Sequence, residues 1–160
     1  MDGWTVERGA PRAPPFFRPC MRRFGVVPRH RLLIVDFVMP FEKLTAWQTC
    51  HALFLDIYRV TATFPKSELY GLTSQMRRAA FSAAATIAEG SAKRGPREFR
   101  RFLDMSRGSL AELAYAIRAV NDLGMLTGED YKRLDELRHR AGRLTWGLYR
   151  RVCQEIRDHY

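Results

Sequence analysis

Cysteine is scarce in this sequence. Cys20, Cys50 and Cys153 are odd in number and make no CxxC or CxH pair, so neither a disulfide framework nor a zinc site is indicated, and a reducing cytoplasm is the expected setting. Long hydrophobic runs are missing too. The most apolar stretch, Leu32 to Met39, is broken by Asp36 and is far shorter than the ~20 residues of a membrane-spanning helix. Arginines spread from Arg8 to Arg31 without a compact apolar run and small-residue cleavage site after them, which argues against a secretory leader. Catalytic signatures are likewise lacking. No GxSxG, HExxH, Walker loop or paired Glu-x-x-His pattern occurs, so the expectation is no enzyme, no cofactor and no metal. His51 falls on an apolar stripe, His30 and His159 sit in tails, and His139 alone is a surface candidate.

What is present is a chain of 160 residues, 46% hydrophobic and 28% charged, enough for one domain with a core and too little for two ordinary ones. Carboxylates are in deficit: 27 Lys plus Arg stand against 17 Asp plus Glu, for a formal charge of +10, and only four of the cations are Lys. An excess of this kind points to an anionic partner such as RNA or DNA, or to plain solubility. Arginine adds a planar fork that grips phosphates and stacks on bases.

The chain divides in two. In residues 1–40, Pro11, Pro14, Pro15, Pro19, Pro28 and Pro40 punctuate seven arginines and leave no helical or alternating period, so this Pro/Arg-rich extension is expected to be disordered. Residues 41–160 are expected to fold, and they carry 20 cations against 14 anions.

Four helices are expected there. In the first, Leu44, Trp47, His51, Phe54, Tyr58 and Thr61 recur by threes and fours as the inward face, up to the stop at Phe64-Pro65. The second starts near Leu72 and runs to about Ser91, with Met76, Ala79, Ala80, Ala83, Ile87 and Ala88 facing inward. Side chains so small let a neighbour approach closely, and this should be the most buried helix. Gly90 there marks a C-cap or a close backbone approach, and Glu89 is placed to pair with Lys93 or with a basic neighbour on another helix. Gly95-Pro96 opens the third helix, where Phe99, Leu103, Ser106, Leu110, Leu113, Ile117 and Val120 repeat as the seam of a left-handed bundle. Gly124 ends it. Thr127, followed by Glu129 and Asp130, caps a fourth helix with a stripe of Leu134, Leu137, Ala141, Leu144, Leu148, Val152 and Ile156. Short connections make successive helices antiparallel, and no strand pattern competes. The expected fold is an all-α, up-down-up-down left-handed four-helix bundle.

The residues that could carry function are basic. Arg94, Arg97, Arg100, Arg101 and Arg107 run across a turn and into the third helix, where those of the helix lie opposite its apolar face. Asp104 lies among them and Glu98 at their border, so part of the charge goes to pairs along the helix. On the fourth helix Arg143, Arg150 and Arg157 recur every seven residues, with Trp146 and Tyr149 near them. Basic residues interleaved with aromatics suit unstacked or looped RNA. The same residues also suit a solvated outer face or a subunit contact, and the residues alone leave these open.

Several phrases in order carry a resemblance: Phe41-Glu42-Lys43-Leu44 with Trp47, the run from Phe64-Pro65-Lys66 through Tyr70-Gly71-Leu72 to Gln75, Arg77-Arg78-Ala79-Ala80, Ile87-Ala88-Glu89-Gly90, and Phe102-Leu103 with Gly108-Ser109-Leu110-Ala111-Glu112-Leu113. Over residues 41–156 the chain resembles the bacterial four-helix-bundle family of 23S rRNA intervening-sequence, or S23, proteins. The resemblance implies a bundle that assembles into a ring-shaped homopentamer and binds nucleic acid, with no catalytic site and no cofactor. Accessory variability proteins of diversity-generating retroelements are similar in fold and engage a reverse transcriptase and RNA, so a protein partner of that kind, or a ribosome-associated one, is the alternative. The chain departs from the family pattern before Ile87, where Ala83, Ala84, Ala85 and Thr86 replace an Ile-Pro and an Asn. Residues 1–38 have no counterpart in the family, and Met39 is the expected native start.

Overall fold

The computed structural model describes residues 39–158; the extension expected over residues 1–40 falls almost wholly outside them, as do His30, His159 and Cys20. A 3₁₀ turn at Pro40–Lys43 leads into α1 (Thr45–Thr61), and a second at Lys66–Glu68 precedes α2 (Leu72–Ser91). Then follow α3 (Pro96–Asp122) and α4 (Gly128–Asp158). Among the described residues there is no strand. Each helix packs on the next, and α4 closes back onto α1, which is an up-down-up-down four-helix bundle.

The helix ends follow their local chemistry. The Glu68 carboxylate accepts the Leu72 N–H at 3.2 Å at the start of α2. Gly95, at φ 84°, makes the turn that Pro96 then converts to helix. At the end of α3, Gly124 takes φ 70°, its N–H reaches Asn121 O at 2.9 Å and the Met125 N–H reaches Val120 O at 2.9 Å. That pair of bonds is a Schellman motif. Thr127 Oγ1 accepts the Asp130 N–H at 3.1 Å and donates to the Asp130 carboxylate at 2.7 Å, capping α4.

The seam expected on α3 is the seam observed: Leu103, Ser106, Leu110, Leu113, Ile117 and Val120 are all buried, with Phe99 half-buried at its edge. Ser106 is tolerated there because its hydroxyl donates to Ala83 O on α2 at 2.7 Å. Gly90 is a close approach and not a cap. A Cβ on it would lie 2.5 Å from Phe102 Cβ and 2.9 Å from Phe99 Cδ2, so the lack of a side chain sets the α2–α3 distance. Nine of the twenty residues of α2 are buried, against eight of seventeen in α1. The two helices therefore share the most buried position, which had been expected of α2 alone. Ala88 is only half-buried.

The face of α1 differs from the expected one. The core side is Ala46, Thr49, Cys50, Leu53, Ile57 and Val60, while Trp47, His51 and Phe54 are half-buried and Tyr58 is 45% exposed. Of the expected stripe, Thr61 alone is fully inside, with its hydroxyl on Ile57 O at 2.7 Å. The physical reason is room. Both neighbours of α1 bury small side chains, Ala79, Ala80 and Ala83 on α2 and Ala141 and Thr145 on α4, and a core so narrow leaves no volume for four aromatic rings. α1 is apolar on two adjacent arcs, and the arc of smaller side chains goes in.

Candidate nucleic-acid interface

Antiparallel packing gathers the start of α1, the end of α2, the start of α3 and the end of α4 at one end of the bundle. That end, taken as residues 40–53, 82–109 and 142–158, holds eleven Lys and Arg: Lys43, Lys93, Arg94, Arg97, Arg100, Arg101, Arg107, Arg143, Arg150, Arg151 and Arg157. Against them stand six carboxylates: Glu42, Glu89, Glu98, Asp104, Glu155 and Asp158. The opposite half carries nine cations and eight carboxylates. A charge distribution that looks diffuse along residues 41–158 is thus polarised in space, with nearly all of the bundle's excess at one end.

Within that end the residues separate into groups. Arg94 is exposed in the α2–α3 turn, and Arg97, Arg100 and Arg101 are exposed on the first turns of α3. Arg107 is half-buried on the flank of α3 that meets α4. Its guanidinium lies 4.3 Å from the Trp146 ring centroid and 4.9 Å from that of Tyr149, while Nη1 pairs with Asp104 at 2.9 Å. Trp146 and Tyr149 stack on one another with centroids 5.4 Å apart and planes 11° from parallel. A hydrogen bond with Cys153, then desolvation and the nearby Asp104 charge, raise the Tyr149 phenol above its ordinary value, while Arg100 opposes them. Arg100, Arg107, Trp146 and Tyr149 are therefore brought together, on a strip that joins α3 to α4.

The other sequence candidates are placed differently. Arg143 leaves this strip and lines a cleft on the α1 side of α4 with Leu44 and Leu144. Arg150 is exposed one turn beyond Trp146. Lys93 is partly engaged, pairing with Glu89 at 3.3 Å as the spacing indicated and lying 5.3 Å from the Phe102 ring. His139 is bound to its own helix, with Nδ1 3.0 Å from Asp135 O.

Two features escaped the sequence reading. The first is an ion pair joining α1 to α4: Asp56 is 3% exposed and receives Arg133 Nε at 3.0 Å and Arg59 Nη1 at 3.0 Å, with Arg133 also held by Asp130 at 2.7 Å. The signal available was a lone acid inside the apolar run Phe54-Leu55-Asp56-Ile57. The second is a surface ladder of rings. Phe41, Trp47, His51, Phe54 and Tyr58 follow one another with centroids 4.6, 5.1, 6.0 and 4.9 Å apart, and Phe81 of α2 adjoins Phe54 at 6.0 Å. Leu55, Tyr70 and Phe81, all more than half exposed, extend the apolar character of this side.

No helix among the described residues is long and apolar enough to cross a membrane. No individual curated protein matches the chain. Residues 42–147 match the family model described as 23S rRNA-intervening sequence protein, a span running from the turn before α1 to well within α4 and covering most of the bundle. The motifs, the four-helix fold and this match agree, and the chain belongs to the 23S rRNA-intervening sequence protein family.

Proposed function

We propose that this protein is a non-enzymatic, cytoplasmic homo-oligomer, a pentamer by its resemblance to the S23 proteins, that binds structured RNA or DNA through its basic end. Arg94, Arg97, Arg100, Arg101, Arg107, Arg143 and Arg150 supply the contacts. The observation that carries this reading is the polarisation of charge, eleven cations against six carboxylates at one end and near balance at the other. Such a surface binds phosphates by releasing counterions, with little sequence preference and a steep loss of affinity as salt rises. The Trp146–Tyr149 stack beside Arg107 offers a platform for an unstacked base.

The test is binding of the full chain to a labelled RNA hairpin and to duplex DNA across a salt series, with mass from light scattering on the same sample. Charge reversal at Arg97 and Arg101 is expected to abolish binding while leaving the helical circular dichroism intact. Unchanged affinity in that variant removes these residues from the interface. A second reading, docking of a partner protein such as a reverse transcriptase or ribosome-associated factor, is favoured by the ring ladder on α1 and α2, since aromatics are enriched at interface centres. Recovery of a bound protein from cells after nuclease treatment supports it, and loss of all bound material supports nucleic acid.

A further inference from the structure

The cleft of about 420 Å³ between the start of α1 and the second half of α4 has a composition unlike its surroundings. Lys43, Arg143 and Arg151 line it, and no carboxylate does. None of these three makes an ion pair among the described residues, whereas Arg59, Arg107, Arg118, Arg133 and Arg138 are each paired with an acid one turn away. Three like charges left together without compensation raise the local potential and draw in an anion. The walls between them are apolar: Leu44, Ala46, Leu144 and Leu148. Gly147 also lines the cleft, and nothing lies within 4 Å of where its Cβ would be, so the wall there stays open. The first residues of α1, Thr45 and Ala46, close one side, and the first turn of that helix holds no acid, so its partial positive charge adds to that of the side chains.

We infer that this cleft binds a phosphate carried on a nucleoside, either a free nucleotide or the terminal nucleotide of a strand. The three cations hold the phosphate oxygens through charge-assisted hydrogen bonds, and the leucine walls cover the base or ribose. The volume lies within the range of small-molecule sites, ~300–1,000 Å³. This site faces α1 and shares only Arg143 with the nucleic-acid contacts proposed above, so it does not depend on the α3–α4 surface binding nucleic acid.

The experiment uses the full chain at about 50 mM salt, where phosphate contacts are strongest. Calorimetry measures binding of ADP, and of a tetranucleotide with a 5′-phosphate against its 5′-hydroxyl twin. At least one phosphate-terminated probe is expected to bind, and which of them binds identifies the source of the phosphate. In the double variant Lys43→Glu and Arg151→Glu, that affinity is expected to fall by about tenfold or more, one charge contact being worth that much, with the helical circular dichroism unchanged since both side chains are exposed. The R97E/R101E chain is expected to keep ADP or tetranucleotide binding and lose the hairpin. No binding of any phosphate probe, or equal binding by K43E/R151E, overturns the inference. Hairpin binding that is absent from the unaltered chain, or unchanged in R97E/R101E, while a phosphate probe binds, overturns only the α3–α4 interface.

Discussion

The guanidinium carbon of Arg107 on α3 lies 4.3 Å from the centre of the Trp146 ring on α4. Asp104, one turn away on the same helix, holds the other side of that guanidinium at 2.9 Å. One cation of the basic end is thus fixed against the neighbouring helix, while Arg94, Arg100 and Arg101 extend from exposed positions. A double-mutant cycle of Arg107→Ala and Trp146→Ala should give a coupling of about 0.5–1 kcal/mol, the range for a cation over an exposed ring. Urea unfolding of the four chains measures it, and a coupling of zero means the contact is not maintained in solution.

Two glycines within helices should respond oppositely to alanine. At Gly90 the new Cβ meets Phe102 Cβ at 2.5 Å, an atom tied to backbone that cannot swing away. Overpacking of about 1–3 kcal/mol should exceed the gain of about 1 kcal/mol in helix propensity, so Gly90→Ala destabilises. Gly108 in α3 has nothing within 4 Å of its would-be Cβ, and Gly108→Ala should stabilise by about 1 kcal/mol. Thermal melts of both variants check the pair of signs.

Arg133→Leu should cost about 3 kcal/mol, because removing one partner strands a buried carboxylate. Asp56 would keep only Arg59, whose side chain is 68% exposed. Replacing Asp56 with Leu in the same chain should recover part of that loss, since an apolar pair of similar size needs no charge compensation. Denaturant midpoints of the single and double variants decide this. Equal stability of both means the carboxylate was never the cause.

Acid should weaken the start of α4. The Thr127 hydroxyl and then Arg133 lower the Asp130 carboxyl below its ordinary 3.8, and Arg138 lowers Asp135 likewise. A carboxylate depressed in the folded state contributes stability that is fully present above 3.8 and is lost as pH falls through the folded value. The melting temperature should therefore fall as pH drops below about 4, and less steeply in a chain carrying Asp130→Asn and Asp135→Asn. An identical slope in that chain rules out these two groups.

The cysteines should differ in reactivity. Burial raises the Cys50 thiol to about 11, with a hydrogen bond to Thr145 acting in the other direction, so at pH 8 it is neutral as well as enclosed. Cys153 is half-buried. In a Cys20→Ser background, one thiol should react with an aromatic disulfide reagent in the native protein and a second only on unfolding. Two equally fast thiols contradict the burial of Cys50.

All four helices and their stops were legible because short-range chemistry decides them. The period of Leu103 to Val120 needs only the 3.6-residue repeat, and Gly95, Pro96, Gly124 and Thr127 act through bonds within four residues of themselves. The net positive charge and its arginine character were equally plain. The orientation of α1 was not, because Trp47 and Phe54 are as apolar as Leu53 and Ile57 and a single helix contains no preference between the two arcs.

That preference is a property of the neighbours. The buried alanines of α2 and the close approach at Gly90 leave a narrow core, and packing to interior density selects the smaller arc of α1. The same distances decide how the arginines divide. Arg107 and Arg143 looked alike as basic positions on amphipathic helices, yet one meets the rings of α4 and the other turns toward α1. Asp56 and Arg133, 77 residues apart, pair for the same reason. Sequence alone determined the helices, their caps and the sign of the surface, since these depend on residues a few positions apart. Tertiary structure decided which faces meet, because the rotation of each helix about its axis follows from the volumes packed against it.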